Sequence, residues 1–115
     1  MNRTFVDSHR IEIGDNVLRA SNVQIYTATH STDVCERMVG DWEEGDDICN
    51  TIARPVRIED GVWMGGGAIL LPGVTIGKNT VIGAGSVVTR SIPANCVAVG
   101  CLCRVIKEMS EKVSD

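Results

Sequence analysis

The stretch that decides the fold runs from Val56 to Val88 and divides into units of six: VRIEDG, VWMGGG, AILLPG, VTIGKN, TVIGAG and the partial unit SVV. The first residue of each unit is small or β-branched, and the third is apolar. The third positions are Ile58, Met64, Leu70, Ile76, Ile82 and Val88. At an apolar content of 43%, six apolar residues in one fixed frame arise by chance about 0.6% of the time. The period therefore indicates a structural repeat.

A six-residue unit is too short for a helical repeat and suits one short strand followed by a corner. Three units make a triangular coil, and stacked coils form a parallel β-solenoid. The apolar positions are expected to point inward. Gly77, Asn79, Gly83 and Gly85 suit the corners, because these residue types adopt the backbone angles that a sharp corner needs. A solenoid of about three coils is expected to need a cap or partner chains at its exposed surfaces.

The same frame runs through 5–25 and predicts a first coil region there, whereas 56–93 holds two further coils. The separation of Ile25 and Ile58 along the chain is not a multiple of six, so an inserted loop over 27–54 must leave the repeat. This loop is acidic and is expected to be solvated. Residues 103–113 are predicted to form a short C-terminal helix, with Ile106 and Met109 on one face. The whole chain, 1–115, is expected to be a single domain.

Composition agrees with a chain made of strands. Val and Ile together number 26 and Leu 4, and such β-branched residues favour strands over a helical bundle. The net charge of −4 includes no basic stripe, which argues against a nucleic-acid partner. No apolar run approaches the roughly 20 residues of a membrane span, and the start of the chain does not resemble a secretory signal. The five cysteines are expected to be reduced thiols in the cytoplasm.

A metal site is not expected. The chain has only two histidines, His9 and His30, and the pair Cys101 and Cys103 lacks a second pair at zinc-ribbon spacing. A γ-class carbonic anhydrase is disfavoured as well, because it needs three zinc-binding histidines per site and the chain has two.

Several segments together resemble the hexapeptide-repeat acyltransferases, and among them the maltose, galactoside and nodulation-type O-acetyltransferases. The segments are Gly73–Gly77, Val81–Thr89, Ile13–Val17, Tyr26–His30 and Val62–Gly67. The resemblance implies an all-β, left-handed parallel β-helix and a homotrimer with active sites between subunits. It also implies an enzyme that uses acetyl-CoA as the acetyl donor and no metal.

The resemblance also implies roles for individual residues. His30 matches the general base that takes the proton of the acceptor hydroxyl. Gly66 matches a backbone donor to the developing oxyanion, although three consecutive glycines also suit a flat corner. The coenzyme positions are Ala84 and Thr89 for the pantetheine arm and Arg90, Arg104 and Lys107 for the phosphates and adenine end. The positions near the acceptor are Asn2, Asp7 and Trp63, the last of which also suits subunit packing.

The expected function is acetyl transfer from acetyl-CoA to a hydroxyl of a small acceptor, a sugar or a glycoside. Two alternatives stay open: a shortened trimeric homologue with little catalysis, and a xenobiotic (antibiotic) acetyltransferase. Compared with the family pattern, the chain is expected to lack the usual N-terminal segment. It also departs at Gly100–Arg104, where the family's Gly-x-Pro-Ala-Arg turn reads GCLCR.

Overall fold

The computed structural model describes residues 10–29 and 52–109. Thirteen strands are found in these ranges. The first coil contains β1 (Ile11–Ile13), β2 (Leu18–Arg19) and β3 (Gln24–Ile25). The second contains β6 (Val56–Ile58), β7 (Trp63–Met64) and β8 (Ile69–Leu70), and the third contains β9 (Thr75–Ile76), β10 (Val81–Ile82) and β11 (Val87–Val88). The remaining strands are β4 (Ala28–Thr29), β5 (Ile52–Ala53), β12 (Cys96–Val99) and β13 (Arg104–Glu108).

The strands stack into the three walls of a solenoid. Sheet 1 has the order β1-β6-β9, sheet 2 the order β13-β12-β10-β7-β2 and sheet 3 the order β11-β8-β3. All neighbouring strands in these sheets are parallel except β12 and β13. The register pairs Ile58 with Ile76 and Leu70 with Val88, and each pair is separated by three hexapeptide units. Three units therefore make one coil, as the period predicts.

The core is the column of third-position residues. Ile58, Met64, Leu70, Ile76, Ile82 and Val88 are all buried, which confirms the prediction that they point inward. The first positions of the units are buried as well, and two of these are polar. Thr80 donates its hydroxyl to the carbonyl of Pro93 at 2.7 Å, and the Ser86 hydroxyl accepts the N–H of Gly100 at 3.2 Å. Because each buried hydroxyl has a partner, neither carries an unsatisfied desolvation cost.

The corners use left-handed backbone angles at matching places in successive coils. Between sheets 1 and 2 these residues are Asn16, Gly61, Asn79 and Asn95, with φ from 58° to 72°. Between sheets 2 and 3 they are Asn22, Gly67 and Gly85. Asn and Gly tolerate this conformation better than other residues. The corners thus follow directly from the residue types that the sequence places there.

The insertion leaves the solenoid after β3. Its stem is the antiparallel pair β4–β5, in which Ala28 faces Ala53, and the N–H of Arg54 donates to the carbonyl of Thr27 at 2.8 Å. Thr27 itself is buried. The stem therefore lies at the corner where sheet 3 passes into sheet 1.

The prediction of a helix starting at residue 103 is wrong. Arg104–Glu108 is a strand that runs antiparallel to β12, with Val99 opposite Arg104. The edge of β12 offers unpaired backbone groups, and β-branched Val105 and Ile106 suit a strand. Pairing with β12 outweighs the helical tendency that the spacing of Ile106 and Met109 suggests. Residues 110–113 of the predicted helix lie outside the described ranges.

Candidate active site at the edges of sheet 3

The corner between sheets 2 and 3 carries two of the predicted coenzyme positions, Gly66 and Ala84. Gly66 precedes β8 and Ala84 precedes β11, so they occupy the same corner in successive coils. The N–H of Gly85 donates to the carbonyl of Gly66 at 2.9 Å, which stacks the two turns on each other. The spacing between the coils is that of neighbouring strands, about 4.8 Å.

The three glycines at 65–67 are subject to different structural constraints. A Cβ on Gly65 would lie 2.6 Å from the backbone nitrogen of Ala84, so the next coil excludes any side chain there. Gly67 has φ +75°, which disfavours other residues. At Gly66 the nearest atom to a Cβ would be the Ser21 carbonyl oxygen at 3.4 Å, an ordinary contact. The flat-corner explanation therefore accounts for Gly65 and Gly67 but not for Gly66.

In the second and third coils, one N–H group at this corner is available to a ligand in each coil. The N–H of Gly67 donates to Ser21, and that of Gly65 to Ile82. Within residues 10–29 and 52–109, the N–H groups of Gly66 and Ala84 have no acceptor. Backbone donors fixed in this way can bind carbonyl oxygens without reorganising. The absence of a side chain at Gly66 leaves its N–H open to close approach.

These contacts predict different outcomes for two neighbouring alanine substitutions. Gly65→Ala forces Cβ against the backbone of Ala84 and is expected to destabilise the fold by about 2 kcal/mol or more. Gly66→Ala is expected to change the free energy of unfolding by less than about 0.5 kcal/mol. Urea unfolding of both variants beside the wild type measures the difference. Equal destabilisation by both substitutions would mean that Gly66 is also needed for the corner.

Beyond the other end of β11, a cleft contains three further predicted coenzyme residues. Thr89, Arg90 and Arg104 line a recess of about 490 Å³. Its other lining residues are Ser91, Ile92, Leu102, Cys103 and Val105. Of the predicted phosphate-binding residues, Lys107 does not line this cleft; it lies on β13 opposite Val97.

A shortened corner forms this recess. Ile58 pairs with Ile76 one full coil later, but Ile76 pairs with Ile92, which comes two positions before a full coil is complete. Val88 still keeps the full-coil register with Leu70, so the shortening falls between Val88 and Ile92. Thr89 and Arg90 therefore stand on a tighter turn than the corner before them. Cys103 closes the coil above, its N–H donating to the carbonyl of Val87 at 2.9 Å.

Cys103 is an unreactive part of this cleft. Burial raises the pKa of its thiol, and the hydrogen bond with the Ser86 side chain opposes this effect more weakly. A thiol held protonated is a poor nucleophile. The wall at Cys103 is therefore neutral at physiological pH, and the positive charge of the cleft comes from Arg90 and Arg104.

A second cleft lies beside the first and shares Thr89 with it. It has a volume of about 550 Å³ and begins at the stem of the insertion, where Thr29 is one of its walls. Its other lining residues are Tyr26, Ala28, Arg54, Leu71 and Pro72. His30 follows Thr29 directly in the sequence but lies outside the described residues, as do Asn2 and Asp7. The two clefts thus adjoin at Thr89.

Trp63 lies on neither edge of sheet 3. It is on β7 in sheet 2, in register with Leu18 and Val81, and the residue is 53% exposed.

Arg54 and Leu102 are cleft residues that the sequence did not reveal. No motif marks them, because the stem of the insertion and the β12–β13 turn bring them to the clefts only in the folded chain. Tyr26 belongs to the motif Tyr26–His30, but the motif predicts no role for it.

Two kinds of site were sought in the described ranges and not found, namely a cluster of metal ligands and a membrane-spanning helix. No cluster of three or more His, Cys, Asp or Glu side chains there could hold a metal ion. No helix in the same ranges has the length and apolar character to cross a membrane.

The chain is similar to bacterial sugar acetyltransferases. The family described as Bacterial transferase hexapeptide (six repeats) matches residues 55–90. The galactoside O-acetyltransferase of Escherichia coli (strain K12) is 42% identical over 111 residues, covering 96% of this chain and 50% of that protein. A solved maltose O-acetyltransferase from Clostridium difficile 630 has a TM-score of 0.78 at 53% identity, covering 93% of this chain and 52% of that one.

A solved galactoside acetyltransferase in complex with coenzyme A gives a TM-score of 0.80 at 42% identity, with coverage of 91% of this chain and 48% of that one. Together with the parallel sheets, these matches confirm the predicted all-β, left-handed parallel β-helix. The chain spans about half the length of these relatives.

Proposed function

Because this chain belongs to the hexapeptide-repeat acyltransferases, we propose that it takes part in acetyl transfer from acetyl-CoA to a hydroxyl of a sugar or glycoside. The observation that carries the proposal is the arrangement around sheet 3. The corner before β8 and β11 offers the free N–H groups of Gly66 and Ala84. The corner after β11 offers the cationic cleft of Arg90 and Arg104. Acetyl-CoA has a thioester carbonyl and amide carbonyls along its arm, which suit the N–H groups of Gly66 and Ala84 respectively. It has phosphates at its far end, which suit the two arginines.

Acetyl-CoA supplies the acetyl group as an activated thioester. His30 acts as the general base and accepts the proton of the acceptor hydroxyl, whose oxygen attacks the thioester carbonyl carbon. The C–S bond then breaks, the new ester is released, and the protonated His30 returns the proton to the departing thiolate of coenzyme A. The N–H of Gly66 stabilises the negative charge that develops on the carbonyl oxygen. Arg90 and Arg104 bind phosphate oxygens, with Lys107 as a further cation nearby. Asn2, Asp7 and Trp63 are the proposed acceptor contacts.

The residues proposed to bind acetyl-CoA lie at both ends of β11, with Ala84 before the strand and Thr89 after it. A second copy of the chain can bring its own corner beside the cleft and complete the site. We therefore propose a homotrimer with its active sites between subunits. The outward rows of the sheets support this arrangement. Sheet 2 exposes Leu18 and Trp63, whereas sheet 1 exposes Glu12 and Arg57, which form an ion pair at 3.8 Å.

An acidic residue among the exposed apolar side chains of sheet 2 is expected to break the trimer. Leu18 is 67% exposed in the single chain, and Leu18→Asp would place a carboxylate in a buried interface. Sedimentation should then show the mass fall from three times 12.4 kDa to that of one chain. Glu12→Lys on sheet 1 is the matched control and should remain trimeric. A wild-type protein that sediments as a monomer would contradict the proposed assembly.

The function itself is tested by incubating the wild-type protein with acetyl-CoA and a panel of neutral sugars and their methyl glycosides. Release of free coenzyme A and appearance of an acetylated sugar by mass spectrometry are the expected results. Acetyl-CoA binding without transfer to any sugar would favour the shortened, weakly catalytic homologue. Transfer to aminoglycosides or other antibiotics but not to sugars would favour the xenobiotic acetyltransferase.

A further inference from the structure

Arg54 brings an unpaired positive charge to the second cleft, which has a volume of about 550 Å³. On the nearby surface of sheet 1, Arg57 lies 3.8 Å from a carboxylate oxygen of Glu12 and 3.9 Å from one of Glu59. In the described part of the chain, no hydrogen bond or ion pair reaches the guanidinium of Arg54. A guanidinium left without a partner in a recess suits an anion from outside the chain.

The backbone and the aliphatic stem of Arg54 are held in place. Its N–H donates to the carbonyl of Thr27 at 2.8 Å, at the base of the insertion stem. A Cβ on Gly73 would lie 3.2 Å from the Cδ of Arg54 and 3.4 Å from its Cβ, so the stem packs along this corner. Gly73 has φ +84°, and its lack of a side chain leaves room for the stem. A side chain that is already packed loses less entropy when its charged end binds a ligand.

The other groups around the second cleft also suit an anion. Arg54 is the only charged residue among those that the structure describes around it, so no carboxylate among them competes for the guanidinium. Thr29 and Thr89 line the cleft, and neither hydroxyl has a hydrogen-bond partner in the described part of the chain. Leu71 and Pro72 form a half-buried apolar wall, which strengthens nearby charge-assisted hydrogen bonds by lowering the local dielectric constant.

The position of the second cleft distinguishes its ligand from the coenzyme phosphates. Arg90 and Arg104, the proposed partners of those phosphates, line the first cleft. The second cleft instead begins at Thr29, which directly precedes the proposed base in the sequence. The part of acetyl-CoA that must reach the base is its thioester end, which carries no charge. A negative group beside Arg54 would therefore belong to the other substrate, the acceptor.

We propose that the second cleft is an anion-binding site and that the acceptor is a sugar that carries a phosphate or a carboxylate. Arg54 is the specificity-determining residue of this site. Its planar guanidinium forms two parallel hydrogen bonds with either anion, whereas a neutral glycoside offers only hydroxyls. Neutral sugars are then acceptors with a higher KM. This inference rests on the proposed acetyl transfer, because it names the acceptor class of that same site.

Steady-state kinetics with matched acceptors test the assignment. In the gluco and galacto series, the methyl glycoside is compared with the sugar 1-phosphate and the carboxymethyl glycoside, which leave the other ring hydroxyls free. The wild type is expected to have a KM about tenfold lower for at least one of the anionic acceptors than for the neutral one. Arg54→Gln keeps the stem as far as Cδ and should abolish this preference, while the KM for acetyl-CoA stays within about twofold.

Arg57→Gln is the matched control, because it makes the same change at an arginine outside the second cleft, and it should keep the wild-type preference. Acceptor KM values that do not depend on acceptor charge in the wild type would overturn the proposal. It would equally be overturned if Arg54→Gln raised the KM for acetyl-CoA and left the acceptor preference intact, since the arginine would then serve the coenzyme.

Direct binding separates failure of this inference from failure of the proposed function. Saturation-transfer NMR with the same sugars, in the presence of excess coenzyme A to occupy the first cleft, needs no acetyl transfer. Tighter binding of an anionic sugar than of its neutral counterpart, lost in Arg54→Gln and kept in Arg57→Gln, supports the site even if no sugar is acetylated. If the wild type binds no anionic sugar, or if Arg54→Gln binds it equally well, the inference is overturned even if neutral sugars are acetylated.

Discussion

Replacing His30 with asparagine is expected to lower kcat for acetyl transfer about a thousandfold, because a positioned general base contributes roughly 10²–10⁴ to such a reaction. Asparagine has a similar size and polarity but cannot accept the hydroxyl proton. The acetyl-CoA dissociation constant should change little, since the proposed phosphate contacts are made by other residues. Stopped assays of acetylated sugar, combined with calorimetry of acetyl-CoA binding, separate the two quantities.

The chain supplies its own control for this experiment. His9→Asn makes the same chemical change at the only other histidine, which has no motif around it, and should leave kcat within about twofold of the wild type. If His30→Asn retained most of the activity, the base would have to be another group. Equal losses from both variants would point to a general effect on folding, which unfolding curves would reveal.

The double substitution Arg90→Ala and Arg104→Ala is expected to weaken acetyl-CoA binding about thirtyfold. Both arginines line the 490 Å³ cleft, and charge-assisted hydrogen bonds to phosphate at a partly exposed site are worth roughly 1 kcal/mol each. Calorimetry measures the dissociation constant. Binding by the wild type should also weaken as salt rises, because exposed charge pairs are screened.

Two controls isolate the phosphate contribution. Arg57→Ala removes an exposed arginine from sheet 1, outside the residues that line the cleft, and should leave binding unchanged. S-acetylpantetheine has no phosphates, so the double variant and the wild type should bind it equally. If the double variant weakened S-acetylpantetheine as much as acetyl-CoA, the arginines would be shaping the cleft rather than contacting phosphate.

Arg104 lies in the same cleft as Arg90, although the sequence predicts a different local structure around it. The resemblance implied that Arg104 lies near the coenzyme phosphates, and the structure puts it in the same cleft as Arg90. The sequence nevertheless predicted a helix around it, whereas the residue lies on β13. So short a segment carries too little periodicity to distinguish the two. The free edge of β12 decided the outcome, and that edge exists only after the coils have stacked.

The candidate site was predictable where it depends on the repeat. Gly66 and Ala84 occupy the same corner because three hexapeptide units, which make one coil, separate them. The recess at Thr89 and Arg90 was not predictable, because it results from a corner that is shorter than the previous one. The cleft at Tyr26 was missed for a similar reason. Its walls come from the insertion stem and from three different coils, and no spacing in the sequence relates them.

The sequence by itself determined the repeat, the inward column from Ile58 to Val88 and the positions of the corners. These follow from local rules, since a period of six fixes which side chains point inward and Asn or Gly permits the backbone to turn. Tertiary structure alone decided how the chain continues beyond the last coil and where the clefts lie. β13 pairs with an edge that stacking creates, and the clefts lie between segments that are distant in the chain. Such features depend on the register between coils and on the length of each corner, which no single hexapeptide unit encodes.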